Sequence, residues 1–191
     1  MKRVLSPDRT AALCVALLLA GLCVVFRLVP DISRGFWNLT PVGALFLFCG
    51  ARLTGATRWV LPFSVMLSTD LGFYAAKGWM LSPAVYLAFG AYVVLGLNLR
   101  RIDGVRAVAY SLPVALVASV LFFLITNGES WWTQAMPYPM TFAGLMQAYE
   151  MGLPFARGTF FGDLLFTPAV FAAYALVAPR FNPVRIAEEV R

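Results

Sequence analysis

Histidine is absent from all 191 residues, which removes the commonest general base, haem ligand and transition-metal ligand together. Charge is scarce as well: acidic and basic residues make up 13% of the chain, against 61% hydrophobic. Mean hydropathy is +0.78. A soluble domain of this length cannot hide that much apolar surface, because its surface-to-volume ratio forces more polar residues outward. The cysteines, Cys14, Cys23 and Cys49, sit inside apolar runs without ligand-like spacing, which argues against both a zinc site and a disulfide framework. The sequence has no phosphate-binding glycine loop of the Walker type and no HExxH-like or DDxxD-like pattern, so it encodes no recognisable ATPase or metal-dependent enzyme of those kinds. Internal repeats and low-complexity tracts are missing too.

What fills the chain is long apolar runs. A membrane span needs roughly 20 mostly apolar residues, and about six such spans with short connections use nearly the whole length. The reading is an all-α integral membrane protein, residues 1–191 forming a single transmembrane domain. Its helices are expected over residues 11–29, 40–53, 58–76, 81–99, 105–126 and 158–178. Helix 1 follows Lys2, Arg3 and Arg9, a pattern shared with signal peptides; its length and the lack of a small-x-small cleavage site favour a retained helix. Residues 127–157, rich in aromatics and holding Pro137, Pro139 and Pro154, read as an outer loop. Within it, 140–151 has the pattern of a short helix at the interface or re-entering the protein.

The net charge of +6 forms no aromatic-interleaved patch, so nucleic acid is not an expected partner. With the N-terminus inside, Lys2, Arg3, Arg9, Arg52, Arg58, Arg100, Arg101, Arg106, Arg180, Arg185 and Arg191 fall on one side. Only Arg27, Arg34, Lys77 and Arg157 fall on the other. Positive charge stays on the cytoplasmic side of a bilayer. The split therefore supports a multi-pass protein of the cell inner membrane with both termini cytoplasmic.

That topology carries polar residues from separate helices to one level near the outer face. Asn38 and Thr40 begin helix 2, Ser68, Thr69 and Asp70 lie in the outer half of helix 3, Asn127 ends helix 5, and Thr159 and Asp163 open helix 6. The outer loop adds Glu129, Trp131, Trp132, Tyr138, Glu150 and Arg157. Charged groups at membrane depth are expensive unless they face water, a partner or a ligand, which makes Asp70 and Asp163 the leading site candidates. The structural alternatives are that Asp163 caps helix 6 or pairs with Arg157, and that Asp70 bonds a neighbouring helix end. Carboxylates beside aromatics suit a cationic or amine-bearing ring compound, whereas Arg157 suits an anion, so the substrate's charge stays open. Trp37, Trp59, Trp79, Trp131 and Trp132 read first as interfacial belt residues; Trp131 and Trp132 gain weight as ligand contacts because they follow Asn127 and Glu129. On helix 1, Ala12, Ala16 and Ala20 fall every fourth residue, a small-xxx-small stripe that lets helices approach closely in lipid.

Asn38-Leu39-Thr40-Pro41-Val42-Gly43-Ala44, Ser68-Thr69-Asp70-Leu71 and Phe122-Phe123-Leu124-Ile125-Thr126-Asn127 together resemble an uncharacterised bacterial family of small six-helix membrane proteins. Tyr138-Pro139 and the run Pro154-Phe155-x-Arg157-x-x-Phe160-x-Gly162-Asp163 share the likeness. That family in turn looks like the substrate-binding S components of energy-coupling factor (ECF) transporters. The resemblance implies an S-component-like bundle with an outward-facing pocket for a small vitamin-like molecule. It also implies that Ala12, Ala16 and Ala20 dock onto a coupling membrane protein driven by two ATPases.

The expected function is therefore a substrate-binding subunit of an importer, without catalysis, cofactor or metal of its own. Its expected binding residues are Asn38, Thr40, Asp70, Asn127, Trp131, Trp132, Tyr138, Glu150, Arg157 and Asp163. Two alternatives are an intramembrane enzyme using Asp70 and Asp163 and a structural membrane subunit.

Overall fold

The structure, a computed structural model, describes residues 9–29 and 38–181. Among these the chain is all-α, with six α-helices: α1 (Arg9–Leu28), α2 (Val42–Arg52), α3 (Thr57–Lys77), α4 (Pro83–Gly96), α5 (Gly104–Trp132) and α6 (Phe142–Val177). Short 3-10 turns follow α4 at Leu97–Leu99 and α6 at Ala178–Phe181. Trp37, Arg34, Lys2, Arg3, Arg185 and Arg191 lie outside the described residues.

Three helical segments, Arg9–Leu28, Gly104–Trp132 and Phe142–Phe181, are long and apolar enough to cross a bilayer, while Val42–Arg52 and Pro83–Leu99 are apolar but shorter. α3 has the length, but Ser64, Ser68, Thr69 and Asp70 lower its hydropathy. The outer surface is apolar on several helices, including Leu17 and Leu18 of α1, Leu71 of α3, Leu87 of α4, Leu116 of α5 and Leu165 of α6. Surfaces of this kind belong against lipid or protein rather than water. Together with the helix lengths they point to a multi-pass membrane protein.

The bundle is organised around α2. All 11 of its residues are buried, and it touches each of the other five helices. A helix of this length rises about 16 Å, well short of a hydrocarbon core of about 30 Å. Enclosure by protein makes that shortness tolerable, because no backbone end is left facing lipid. The tightest crossing is with α4: a Cβ on Gly50 would fall 2.1 Å from the Val93 carbonyl oxygen, and one on Gly96 would fall 2.3 Å from that of Leu47. Bare glycine Cα atoms allow the two backbones to touch, a contact that contributes dispersion and Cα–H···O attraction where lipid supplies no hydrophobic drive.

Arg52 fastens the far end of α2. Its guanidinium donates to the carbonyls of Leu99 (3.2 Å) and Ile102 (2.6 Å). It also lies 3.3 Å from Asp103 Oδ1 and stacks over the Phe171 and Tyr174 rings of α6. The sequence marked this residue only as one of the cytoplasmic charges, yet it is 1% exposed and ties the α4–α5 connection and α6 to the central helix.

Two expectations are corrected here. Residues 127–157 are not an outer loop: α5 continues to Trp132, the connection is 133–141, and α6 begins at Phe142 and runs through Pro154. Small residues at helical spacing make this possible. Gly144, Ala148 and Gly152 are buried on one face of α6, and a Cβ on Gly152 would fall 2.1 Å from the Asn127 side chain, so the two helices pack tightly there. Thr141 caps the new start by accepting from the Gly144 amide. The second correction concerns the alanine stripe. Ala12, Ala16 and Ala20 are buried at 0, 0 and 7% exposure in the chain's own core. They therefore seat α1 on its own bundle instead of presenting a face to a partner, while Leu13, Leu17 and Leu18 point outward.

Because the α2–α4 crossing has no room for a side chain, Gly50→Val should destabilise the protein by at least about 1–3 kcal/mol, the range for overpacking. Gly21→Ala, at a position with no neighbour within 4 Å, should be close to neutral. Thermal unfolding of detergent-purified variants, followed by size-exclusion chromatography, measures the difference.

Candidate functional site

At the end of the bundle where α2 begins, a cavity of about 810 Å³ opens among the helices. Every helix contributes to its wall: Phe26 and Arg27 from α1, Val42 and Gly43 from α2, Met66, Asp70, Phe73 and Lys77 from α3, Val85 and Phe89 from α4, Phe122 and Thr126 from α5, and Thr159 and Asp163 from α6. Asn38 and Thr40 lead into α2, while Trp79, Met80, Leu81 and Ser82 come from the α3–α4 connection. A cavity of this size with mainly apolar walls and a few converging polar groups has the make-up of a small-molecule site.

Two carboxylates enter it, each differently held. Asp70 forms an ion pair with Arg27 and accepts from the Tyr86 hydroxyl at 2.8 Å, linking α1, α3 and α4. The Arg27 guanidinium also lies over Phe73. Asp163 is 2% exposed and sits deeper. Its Oδ2 accepts from Tyr92 at 2.5 Å and from Ser119 at 2.7 Å, joining α4, α5 and α6. Its Oδ1 rests against α2, where a Cβ on Gly43 would fall only 2.0 Å away. Gly43 lies in the first turn of α2, so the carboxylate faces the positive end of that helix dipole. Asp163 thus neither caps α6, which starts about six turns earlier at Phe142, nor depends on Arg157.

Lys77 lines the mouth of the cavity, its ammonium 4.4 Å from the Trp79 ring centroid and 5.5 Å from that of Phe73. Among the described residues it has no carboxylate partner. Nor do three acidic or cysteine side chains converge anywhere among them into a metal cage.

Of the ten residues expected to bind, Asn38, Thr40, Asp70 and Asp163 line this cavity. Asn127 lines a smaller neighbouring one of about 220 Å³ between α5 and α6, which shares Asn38, Phe122, Thr126 and Thr159 with the first. Trp131, Trp132, Tyr138, Glu150 and Arg157 line neither. The continuation of α5 and α6 carries them beyond it; Trp131 Nε1 donates to the Pro139 carbonyl, and Trp132 is exposed. Glu129 serves structure: it accepts from Ser82 and from the Ala84 amide, closing the N-terminus of α4 together with the Ser82 cap. Sequence reasoning missed Tyr92 and Ser119, the two hydroxyls that hold Asp163. Both lie in apolar helix stretches where a single polar residue on a buried face is the available signal.

The chain belongs to a family of unknown function, DUF6580, whose family model matches residues 7–185. No curated protein and no solved structure matches it.

Tyr92→Phe and Ser119→Ala each strip one donor from a buried carboxylate and should each destabilise the fold by about 1–3 kcal/mol. Since the donors share one oxygen, the double variant should depart from additivity, which a thermodynamic cycle from chemical or thermal unfolding reads directly.

Proposed function

We propose that this member of the family is the substrate-binding membrane subunit of an importer similar to ECF transporters, capturing a small vitamin-like molecule in the cavity. The observation that carries this reading is a single cavity lined by all six helices. A purely structural subunit has no need to hold its helix ends apart around such a volume, since an unfilled space forfeits packing contacts. Aromatic walls from four helices, with Asp70, Asp163, Thr40 and Thr159 among them, supply both apolar contact and orientation.

The proposed setting is the cell inner membrane, crossed six times, with both termini cytoplasmic and the cavity opening outward. Its support is the distribution of charge: Arg9, Arg52, Arg58, Arg100, Arg101, Arg106 and Arg180 gather at helix ends opposite the cavity. Energy for transport would come from a coupling membrane protein and ATPases. With Ala12, Ala16 and Ala20 buried inside the bundle, such partners would meet another face.

One observation favours a second reading: Asp70 and Asp163 line the same cavity, as the pair of acids in an intramembrane enzyme would. Native mass spectrometry of gently purified protein distinguishes these readings. A capture subunit should carry a retained small molecule unaltered, and Val85→Trp, which fills the cavity from its wall, should lose that mass while still eluting as a folded protein. An intramembrane enzyme should instead release a chemically changed compound, and Asp163→Asn should stop the conversion while binding persists. Finding no retained molecule and no co-purifying partner in any growth medium would overturn the importer reading.

A further inference from the structure

We infer that the cavity recognises a small planar ring compound through an N–H group donated to Asp163 Oδ1, beside Thr159 and Thr40. This deepens the capture reading above and rests on it. Oδ2 of Asp163 is fully engaged by Tyr92 and Ser119. Oδ1 receives no hydrogen bond among the described residues and is not fully covered by them. It faces the cavity beside Gly43, on a side chain that is 2% exposed. An acceptor at this depth, without a protein donor, is open to water or to a donor that a ligand brings, and the ligand's N–H is the partner that replaces the water.

Its surroundings define that ligand. Thr159 lies one helical turn before Asp163, so both occupy one face of α6. Gly162 brings that face against the backbone of Thr40, whose carbonyl oxygen would meet a Cβ there at 3.0 Å. Thr40 and Thr159, whose hydroxyls donate or accept, thus line the same cavity as the Asp163 carboxyl group. Phe89 and Phe122, whose ring centroids are 5.1 Å apart, wall the same region and favour a flat aromatic body. The remaining charges give no equal claim to an acid: Arg27 is already committed to Asp70, and Lys77 lies out at the mouth over Trp79.

The test uses the full chain in detergent, with 2-aminobenzimidazole as the donor probe and benzoate as a ring of acceptor character only. Binding is followed by tryptophan fluorescence, for which Trp79 at the mouth is a reporter, and by thermal shift. The expected result is saturable binding of 2-aminobenzimidazole and none of benzoate. Asp163→Asn should weaken it about tenfold or more, as expected for losing a bond to a charged acceptor. Thr159→Val, an isosteric change that leaves the Asp163–Tyr92–Ser119 network intact, should weaken it several-fold and decides the matter if Asp163→Asn does not fold. Equal affinity in wild type and both variants, or preferential binding of benzoate lost on Lys77→Ala, would overturn the assignment. Failure of 2-aminobenzimidazole to bind also overturns it, and a retained molecule in the mass spectrum would then leave the capture reading standing with a different ligand chemistry.

Discussion

Complete enclosure of α2 is the constraint on which the other features depend. A helix too short to cross a bilayer alone must be surrounded by protein, and five neighbours pressed against 11 residues leave no lipid-facing side. Close packing against α4 requires Gly50 and Gly96. Ending the helix inside the molecule buries its terminal charge, and the carbonyls of Leu99 and Ile102 together with Asp103 supply the partners that Arg52 needs there. Starting it inside the molecule leaves space above its first turn, and that space is the cavity.

Register along α2 and α6 links the two ends. The two helices run in the same direction, with Gly43 beside Asp163 and Arg52 beside Phe171 and Tyr174. Nine residues separate the α2 positions, and eight to eleven separate their α6 counterparts, so one rigid pairing sets both contacts. The polar groups follow the same economy of placement. Each carboxylate in the cavity wall is shared among three helices, Asp70 with Arg27 and Tyr86, and Asp163 with Tyr92 and Ser119. Hydrogen bonds of this kind specify the arrangement of helices that apolar contacts alone would leave free to slide.

Much of this was legible from sequence, because the hydrophobic runs and the polar residues are written at opposite scales. Six helices and the convergence of Asn38, Thr40, Asp70 and Asp163 follow from counting spans and asking which end of each carries its polar residues. The tip of the α5–α6 hairpin was not legible. Prolines and aromatics outweighed the glycine and alanine spacing at Gly144, Ala148 and Gly152, which reveals a helix only when its partner at Asn127 is known. The alanine stripe of α1 misled for a related reason. Spacing shows that a face can be approached closely, but it does not show by whom, and here the neighbours are the chain's own helices. Arg52 read as a surface charge because its carbonyl partners at Leu99 and Ile102 are about 50 residues away.

The length of α6 gives the cavity its depth. From Asp163 to Val177 the helix rises about 21 Å, and from Phe142 to Asp163 about 32 Å. With the arginine-bearing ends set at one face of a hydrocarbon layer about 30 Å thick, Asp163 lies within the layer, about 9 Å below its other face. Most of the first half of α6 then stands beyond it. In that proposed placement the cavity begins inside the apolar layer and opens toward its boundary on the side of Lys77 and Trp79. On the proposed capture reading, a ligand entering from that side would leave water as it descends, and each hydrogen bond near Asp163 would form where competing solvent is scarce. In such surroundings an unmatched polar group is costly for ligand and protein alike, so a binding site at this depth would select by the donors and acceptors a molecule carries more sharply than an equal set of groups at the surface.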